Sequence, residues 1–313
     1  ARARGWGIPV PGDDEQVIYV WYDALGNYIT GIGYGQENDS GDNASYRKLW
    51  PCDVHCIGKG IIRFHAVYWP AMLLSAGLSL PKKLFVHGYI TINGQKMSKS
   101  LGAVVDPFSQ IDQFGVETIR FYMTKHISPF QDGDYSVSGL EEAYTADLAN
   151  GIGNLLSRSL AMVEKHGGGE INPMPCAGPA ESIIRRNFEK IFEDYDRLMP
   201  EYEFSQAMMR IWEGVASLDR YINENAPWKM AKEKGRQEDL ATVLYVLCEG
   251  LRMIGSLVSP VMPDTANEIW RRLGMEQVVS DISWPVQKKW GLLKIGMKVD
   301  KGQPLFPRLE KQD

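Results

Sequence analysis

The chain reads as an α/β fold that gives way to an all-α one, and three observations carry that reading. Short β-rich runs occur only early, at 17–21, 54–58 and 84–88, each bounded by turn or helix-start signals. A helix-period apolar segment, Ile61 to Ala76, closed by Gly77 and Pro81, lies between the second run and the third. Beyond about Glu117 the strand signal vanishes, and long amphipathic segments follow at 138–166, 181–198, 204–226, 238–259 and 262–273.

Strand, helix, strand at that spacing is a βαβ unit, which predicts a parallel sheet. The second half predicts a helix bundle. Gly167-Gly168-Gly169 and the run from Pro173 to Pro179 predict an irregular connection between its first two long helices. The predicted organisation is an α/β domain over 1–115, a junction over 116–137, a helical domain over 138–275, and an extension over 276–313 that either packs back or is solvated. The 313 residues, 44% of them hydrophobic, suffice for two cores.

Composition narrows the function classes. Residues 1–6, Ala-Arg-Ala-Arg-Gly-Trp, carry no initiating Met and no signal-peptide pattern, so residue 1 is expected to be an internal point of a longer protein. The longest uncharged stretch, Phe64 to Pro81, contains His65, Pro70 and Pro81, which predicts a buried helix and no membrane partner. Cys52, Cys56, Cys176 and Cys248 are too few and scattered for a disulfide framework and fit a reducing compartment, the cytoplasm or an organelle matrix. A net charge of −5 argues against general nucleic-acid coating, so any RNA contact is local and shape-driven. Between Lys288 and Asp313 seven basic residues face three acidic ones, a pattern that fits a solvated tail as well as a binding strip.

The sharpest feature is Lys96-Met97-Ser98-Lys99-Ser100, which follows a strand and a Thr91-Ile92-Asn93-Gly94 turn and is flanked beyond by Gly102 and a Val104-Val105-Asp106-Pro107 helix start. Two lysines three apart in a glycine-flanked loop reach one polyphosphate from two positions, and lysine suits a phosphate whose geometry changes during reaction. A solvated surface loop is the plain alternative for such a string. All five positions, however, are similar to the KMSKS signature of class I aminoacyl-tRNA synthetases. That resemblance implies a Rossmann-like nucleotide-binding fold, ATP with Mg2+ as cofactors, Lys96 and Lys99 as catalytic residues, and Met97 and Ser98 as further ATP-binding residues. The chemistry implied is attack of an amino-acid carboxylate on the α-phosphate, with cations stabilising the leaving pyrophosphate.

Two further segments point to the methionine subgroup. Trp21, Ala24 and Tyr28 fall on one helical face, in a segment that resembles the subgroup's Trp-x-Asp-Ala-x-x-x-Tyr pattern. His55 to Pro70 resembles Ile-Gly-Lys-Asp-Ile-x-x-Phe-His-x-x-x-Trp-Pro. Carried over by position, Trp21, Ala24, Tyr28, Ile61, Phe64 and His65 line a methionine pocket, while Lys59, His87 and Gly88 join the ATP site. Aromatic walls suit a thioether, and hydrogen bonds from Tyr28 and His65 to sulfur are expected to separate methionine from leucine. An aromatic stripe also describes plain core, and His65 also reads as a satisfied core histidine.

The chain departs from the family pattern in three places. Gly60 stands where the family has Asp, Ala103 stands where it has Asn, and none of the five histidines belongs to a His-x-Gly-His string. The first departure removes a carboxylate from beside the active site. The third implies that the N-terminal half of the nucleotide-binding fold is missing and must be supplied as a partner. Cys52, His55 and Cys56 lack a second pair at zinc spacing, so no metal site is expected; the family's zinc knuckles lie in an insertion that would precede residue 1.

In the helical half, Thr145 to Arg158 resembles the family's Ala-Asp-Leu-Ala-Asn-x-x-x-Asn-Leu-x-x-Arg helix, and Asn150, Asn154 and Arg158 recur every four residues. The resemblance implies that this stripe reads the anticodon, whereas the bare pattern describes an exposed polar face. Asn223 to Trp228 resembles the family's Ala-Pro-Trp element, in which Trp228 either stacks on an anticodon base or is buried between helices. Phe130 to Ser136 fits the family's junction between catalytic and anticodon domains. The expected function is that of a methionine–tRNA ligase whose partners are methionine and the anticodon loop and acceptor end of methionine tRNA. The rivals are another KMSKS-type ligase, disfavoured by the Trp21/Tyr28 and Phe64/His65 pairs, and a non-catalytic tRNA-binding module, which has no use for both signature lysines.

Overall fold

The structure, a computed structural model, describes residues 7–35, 45–92, 94–96, 105–172 and 178–309. The chain forms two compact units that divide between Tyr89 and Ile90.

The first unit opens with β1 (Pro9–Val10) paired antiparallel to β2 (Asp13–Val17). The strand expected over 17–21 keeps only Val17; Val20 opens α1 (Val20–Ala24), and α2 (Asn27–Thr30) follows. The reason lies four residues apart: Leu25 and Ile29 are buried, and Trp21 packs on the same core, so helical spacing overrides β-propensity. After α3 (Ser45–Leu49), the strands β3 (Val54–Gly58) and β4 (Lys83–His87) pair in parallel, from Val54↔Lys83 to Gly58↔His87, as the βαβ pattern predicts. The helical stretch between them starts as a 3₁₀ turn (Lys59–Ile61), widens to a π turn (Phe64–Tyr68) and ends as α4 (Trp69–Ser75). Gly77, at φ +69°, closes it in the left-handed conformation that glycine adopts without strain. Leu25, Ile29, Trp50, Trp69 and Leu73 form this unit's core.

The second unit begins with β5 (Ile90–Ile92), which lies between β6 (Gln95–Lys96), antiparallel, and β7 (Gly133–Asp134), parallel. β7 falls beyond Glu117, where no strand was expected; at two residues it is too short to leave a periodic signal. Asp106 caps α5 (Pro107–Phe114) by accepting from the Phe108 and Ser109 N–H groups, with Pro107 at the first helical position. α6 (Val116–Lys125) follows, then α7 (Val137–Ala143), capped by Ser136. A π stretch (Tyr144–Gly153) leads into α8 (Asn154–His166). The bundle continues with α9 (Pro179–Leu198), α10 (Phe204–Asn225), α11 (Pro227–Met230), α12 (Gln237–Val258), α13 (Pro263–Arg272) and α14 (Trp284–Gln287), so the long spans stand within two residues of their sequence-read bounds.

The units divide at residue 89 rather than near 115 because α5 and α6 contribute to the bundle's core. Phe114, Phe121 and Tyr122 are buried in it. Glu117 accepts from the Asp264 and Thr265 N–H groups at 2.6 and 2.9 Å, which caps α13 from outside, and Arg120 donates to the Val261 and Pro260 carbonyls at 2.7 Å.

α12 is long and apolar enough to cross a membrane by composition, yet 94% of that window is buried inside the unit, so it is the central core helix. It also carries a fully buried ion pair, in which Arg252 donates to Glu249 at 2.8 Å. Glu249 accepts from Gly291 N–H at 2.8 Å, and Arg252 donates to the Gln287 and Lys289 carbonyls at 2.9 and 2.8 Å. Arg272 donates to the Lys301 and Gln303 carbonyls, and the Tyr144 hydroxyl to that of Pro307. The extension after 275 therefore packs back, one of the two arrangements expected, because buried charges demand its backbone as partner.

Candidate functional site

Of the residues assigned from sequence to a side-chain pocket, Trp21, Tyr28, Phe64 and His65 contact one another in the first unit, with the Ile61 carbonyl against His65. Trp21 stacks on Phe64 with ring centroids 4.6 Å apart and planes 11° apart, and His65 meets the edge of Trp21 at 6.0 Å. Trp21, Ala24, Tyr28, Ile61 and Phe64 are half-buried, while His65 is fully buried. His65 Nδ1 lies 3.0 Å from the Ile61 carbonyl oxygen, which can only accept, so that nitrogen carries the hydrogen. His65 Nε2 then accepts from the Tyr28 hydroxyl at 2.8 Å. Both donor hydrogens are thus spent within the protein. The expected hydrogen bonds from Tyr28 and His65 to a ligand sulfur are not available in this arrangement, and contact with the Trp21 and Phe64 rings is what remains to receive a thioether.

A second layer fixes these groups. Trp69 donates from Nε1 to His55 Nε2 at 3.1 Å, and Tyr28 packs against the His55 ring at 4.3 Å. Burial, and secondarily neighbouring His65, hold the His55 pKa below the usual imidazole value, which matches a neutral ring that accepts from an indole. Burial, then the nearby Cys52, raises the Tyr28 phenol. Cys52 Sγ stands 3.8 Å from His55 Nε2, a loose polar contact.

At the carboxyl ends of β3 and β4, where open parallel sheets receive ligands, Gly58 faces His87 across the pair. His87 is exposed, with Nδ1 2.9 Å from the Gly88 carbonyl oxygen. Lys59 is exposed, and its ammonium lies 4.7 Å from the Tyr89 ring centroid. A Cβ at position 60 would overlap the Tyr89 hydroxyl.

In the second unit, the backbone of Lys96 ends β6; its side chain, together with Met97, Ser98 and Lys99, lies outside the described residues. The base of that loop is described. Asp134 accepts from Gly94 N–H at 2.8 Å and from Thr91 Oγ1 at 2.7 Å, and these bonds, the backbone one first, hold its carboxyl below the ordinary range. Sequence reading passed over Asp134 as a site residue, although it sits in the 130–136 junction run; only the β5–β7 pairing brings it to the loop.

On the helical side, Asn150 and Asn154 are exposed. The four-residue spacing does not establish a common face, because Asn150 lies in the π stretch and Gly151, at φ −87° and ψ −107°, leaves helical geometry between the two. Arg158 is engaged within the bundle, with Nη1 2.7 Å from Asp219 Oδ1 and Nη2 2.7 Å from Asn223 Oδ1. Trp228 is half-buried and packs against the core, between the two arrangements read from sequence. Nearby, Lys125 and His126 bond Asp147 at 2.7 and 2.9 Å; burial raises that carboxyl, and the bonds from His126 and Lys125 outweigh it, leaving it below the ordinary value.

Comparison with known proteins identifies the family. The chain is 44% identical over 309 residues to a methionine–tRNA ligase of Caldanaerobacter subterraneus subsp. tengcongensis, covering 97% of this chain and 47% of the relative. It is 42% identical to the methionine–tRNA ligase of Thermotoga maritima, covering 98% and 48%. The chain thus spans about half the length of the curated relatives it matches. A solved Mycobacterium tuberculosis methionyl-tRNA synthetase in complex with methionyl-adenylate superposes with a TM-score of 0.84 at 35% identity, covering 97% of this chain and 58% of that one. Residues 181–302 match the anticodon-binding domain of tRNA ligases, which includes Trp228 and not Asn150, Asn154 or Arg158. Residues 1–160 match the model for class I (M) tRNA synthetases, and the chain belongs to that family.

Proposed function

We propose that the full-length protein is a methionine–tRNA ligase, which joins methionine to ATP as methionyl-adenylate, releases pyrophosphate and passes methionine to its tRNA. The observation that carries the reading is the Trp21–Phe64 stack beside half-buried Tyr28 and its bonded partner, buried His65. Two aromatic faces offer polarizable contact to a thioether, and Ala24 and Ile61 complete an apolar wall. Trp69 donating to His55, the His55 ring packed on Tyr28, and Tyr28 bonded to His65 together support those rings, so selection rests on shape and sulfur contact.

In this reading Lys96 and Lys99 neutralise charge that builds on the leaving pyrophosphate, and Lys59, His87 and Gly88 approach the nucleotide. Magnesium arriving with ATP shares that neutralisation. Asp134 tethers the Gly94 turn, which gives the signature loop a fixed base. Trp228, Asn150 and Asn154 meet the anticodon, and Arg158 acts through its hold on Asp219 and Asn223 in the bundle. The described cysteines Cys52, Cys56 and Cys248 are free thiols, which supports residence in a reducing compartment such as the cytoplasm.

The test is ATP–pyrophosphate exchange by the full-length protein with each of the twenty amino acids. Exchange driven by methionine alone is expected, and exchange driven by another amino acid would overturn the reading. Lys99→Ala is expected to cost at least ~3 kcal/mol of barrier, by analogy with loss of one preorganised charge-stabilising donor.

A further inference from the structure

Position 60 is one of three places where this chain parts from the pattern it resembles, and the structure gives that departure a physical context. Gly60 follows β3 and Tyr89 follows β4, so both stand at the carboxyl end of the same parallel pair. The Tyr89 hydroxyl occupies the volume that any Cβ at 60 would require, and its ring carbon Cζ would stand 3.4 Å from that Cβ. The obstruction is therefore the phenol oxygen alone. The same ring lies beneath the Lys59 ammonium at 4.7 Å, within the range of a cation–π contact.

We infer that Tyr89 is a positioning residue for Lys59 in the ATP site, and that glycine at 60 leaves the room in which the Tyr89 hydroxyl sits. This rests on the ligase reading above, in which Lys59 meets the nucleotide. Lysine is a flexible point charge that loses rotamer freedom when it engages a phosphate. A ring face beneath the ammonium restricts that freedom in advance. A side chain at 60 displaces the phenol, and the ring moves off Lys59.

The inference predicts an asymmetric double-mutant cycle in the full-length protein. Gly60→Ala alone is expected to raise KM for ATP about tenfold with KM for methionine unchanged, the cost of forcing one methyl into filled space. Gly60→Ala in a Tyr89→Phe background is expected to cost less than about twofold, because the obstructing oxygen is gone and 3.4 Å to Cζ is tolerable. Tyr89→Leu removes the ring face and is expected to raise KM for ATP about threefold, again without a change for methionine. Tyr89→Phe keeps the face and is the reference background against which the Gly60→Ala cost is read.

The melting temperature supplies a readout independent of catalysis: Gly60→Ala should lower it, and the double variant should restore it. Equal cost of Gly60→Ala in both backgrounds, in KM and in melting temperature, would overturn the seating of the hydroxyl. An unchanged KM for ATP in Tyr89→Leu would overturn the positioning role. A wild-type protein with no methionine-dependent exchange would instead overturn the ligase reading on which the inference rests, while the melting-temperature cycle would still judge the packing.

Discussion

The two units bury apolar surface on different terms. The second unit closes a continuous core from Phe114 to Leu293 around α12, and even its charges, Glu249 and Arg252, are fully buried. Among the described residues, the first unit's core cluster holds Leu25, Ile29, Trp50, Trp69 and Leu73, with Ile57 buried besides. It leaves Tyr19, Val20, Tyr22, Val67 and Tyr68 exposed, and Tyr19 and Tyr68 flank Phe64 in one aromatic strip. The contrast teaches where each unit's order comes from: the bundle holds itself through internal packing, whereas the α/β unit joins its aromatic groups in a network of ring contacts around Phe64, Tyr28 and His55.

The largest expected break in that comparison is Arg252→Met. Removing one member of a buried pair leaves Glu249 as an uncompensated buried charge and releases the Gln287 and Lys289 carbonyls, at a cost of about 3–5 kcal/mol. Urea unfolding followed by hydrogen exchange should show the loss in the second unit, with protection of β3 and β4 unchanged. Next, Trp69→Phe in the first unit keeps most of the volume and deletes the donor to buried His55, which is expected to cost about 1–3 kcal/mol and to raise KM for methionine through the shifted His55–Tyr28 contact. Smaller still, Tyr28→Phe removes the hydrogen bond to His65 for about 1 kcal/mol, a change that thermal unfolding should detect.

Acid acts on β3 and on α13 in the same direction but in different windows. His55 has a folded pKa below its ordinary 6.5, so as pH falls through that value the unfolded chain takes up a proton that the fold refuses, and the first unit loses stability. Glu268, bonded by Arg271 and Arg272, is held down to about 2 from its ordinary 4.5; its contribution is complete above 4.5 and is lost as pH falls toward 2. Hydrogen exchange across an acid titration should therefore show β3 and β4 loosening first, before the α13 segment. The reverse order would break the comparison.

The long helices were legible because amphipathic period and capping chemistry act locally: Asp106-Pro107 starts α5, and the apolar rows of α9, α10 and α12 need no distant partner to be recognised. The 17–21 run was misread for the opposite reason. Its β-branched and aromatic residues satisfy a strand in isolation, and only Leu25 and Ile29, buried against Trp69 and Leu73, tip the segment into helix. The six pocket residues were legible as residue types at family spacing. That both donor hydrogens of Tyr28 and His65 are already spent was not, because it depends on the Ile61 carbonyl and on a π turn.

By itself, then, the sequence determined the order of elements, the parallel βαβ pairing and the family, since each is written in local periodicity or in contiguous strings. Tertiary structure alone decided that Glu249 and Arg252 pin the returning extension, that Asp134 ties the base of the signature loop, that Arg158 is engaged within the bundle, and that Gly60 answers to Tyr89. These are pairings between positions 29 to 65 residues apart, set by how elements pack, and no local preference of either partner encodes them.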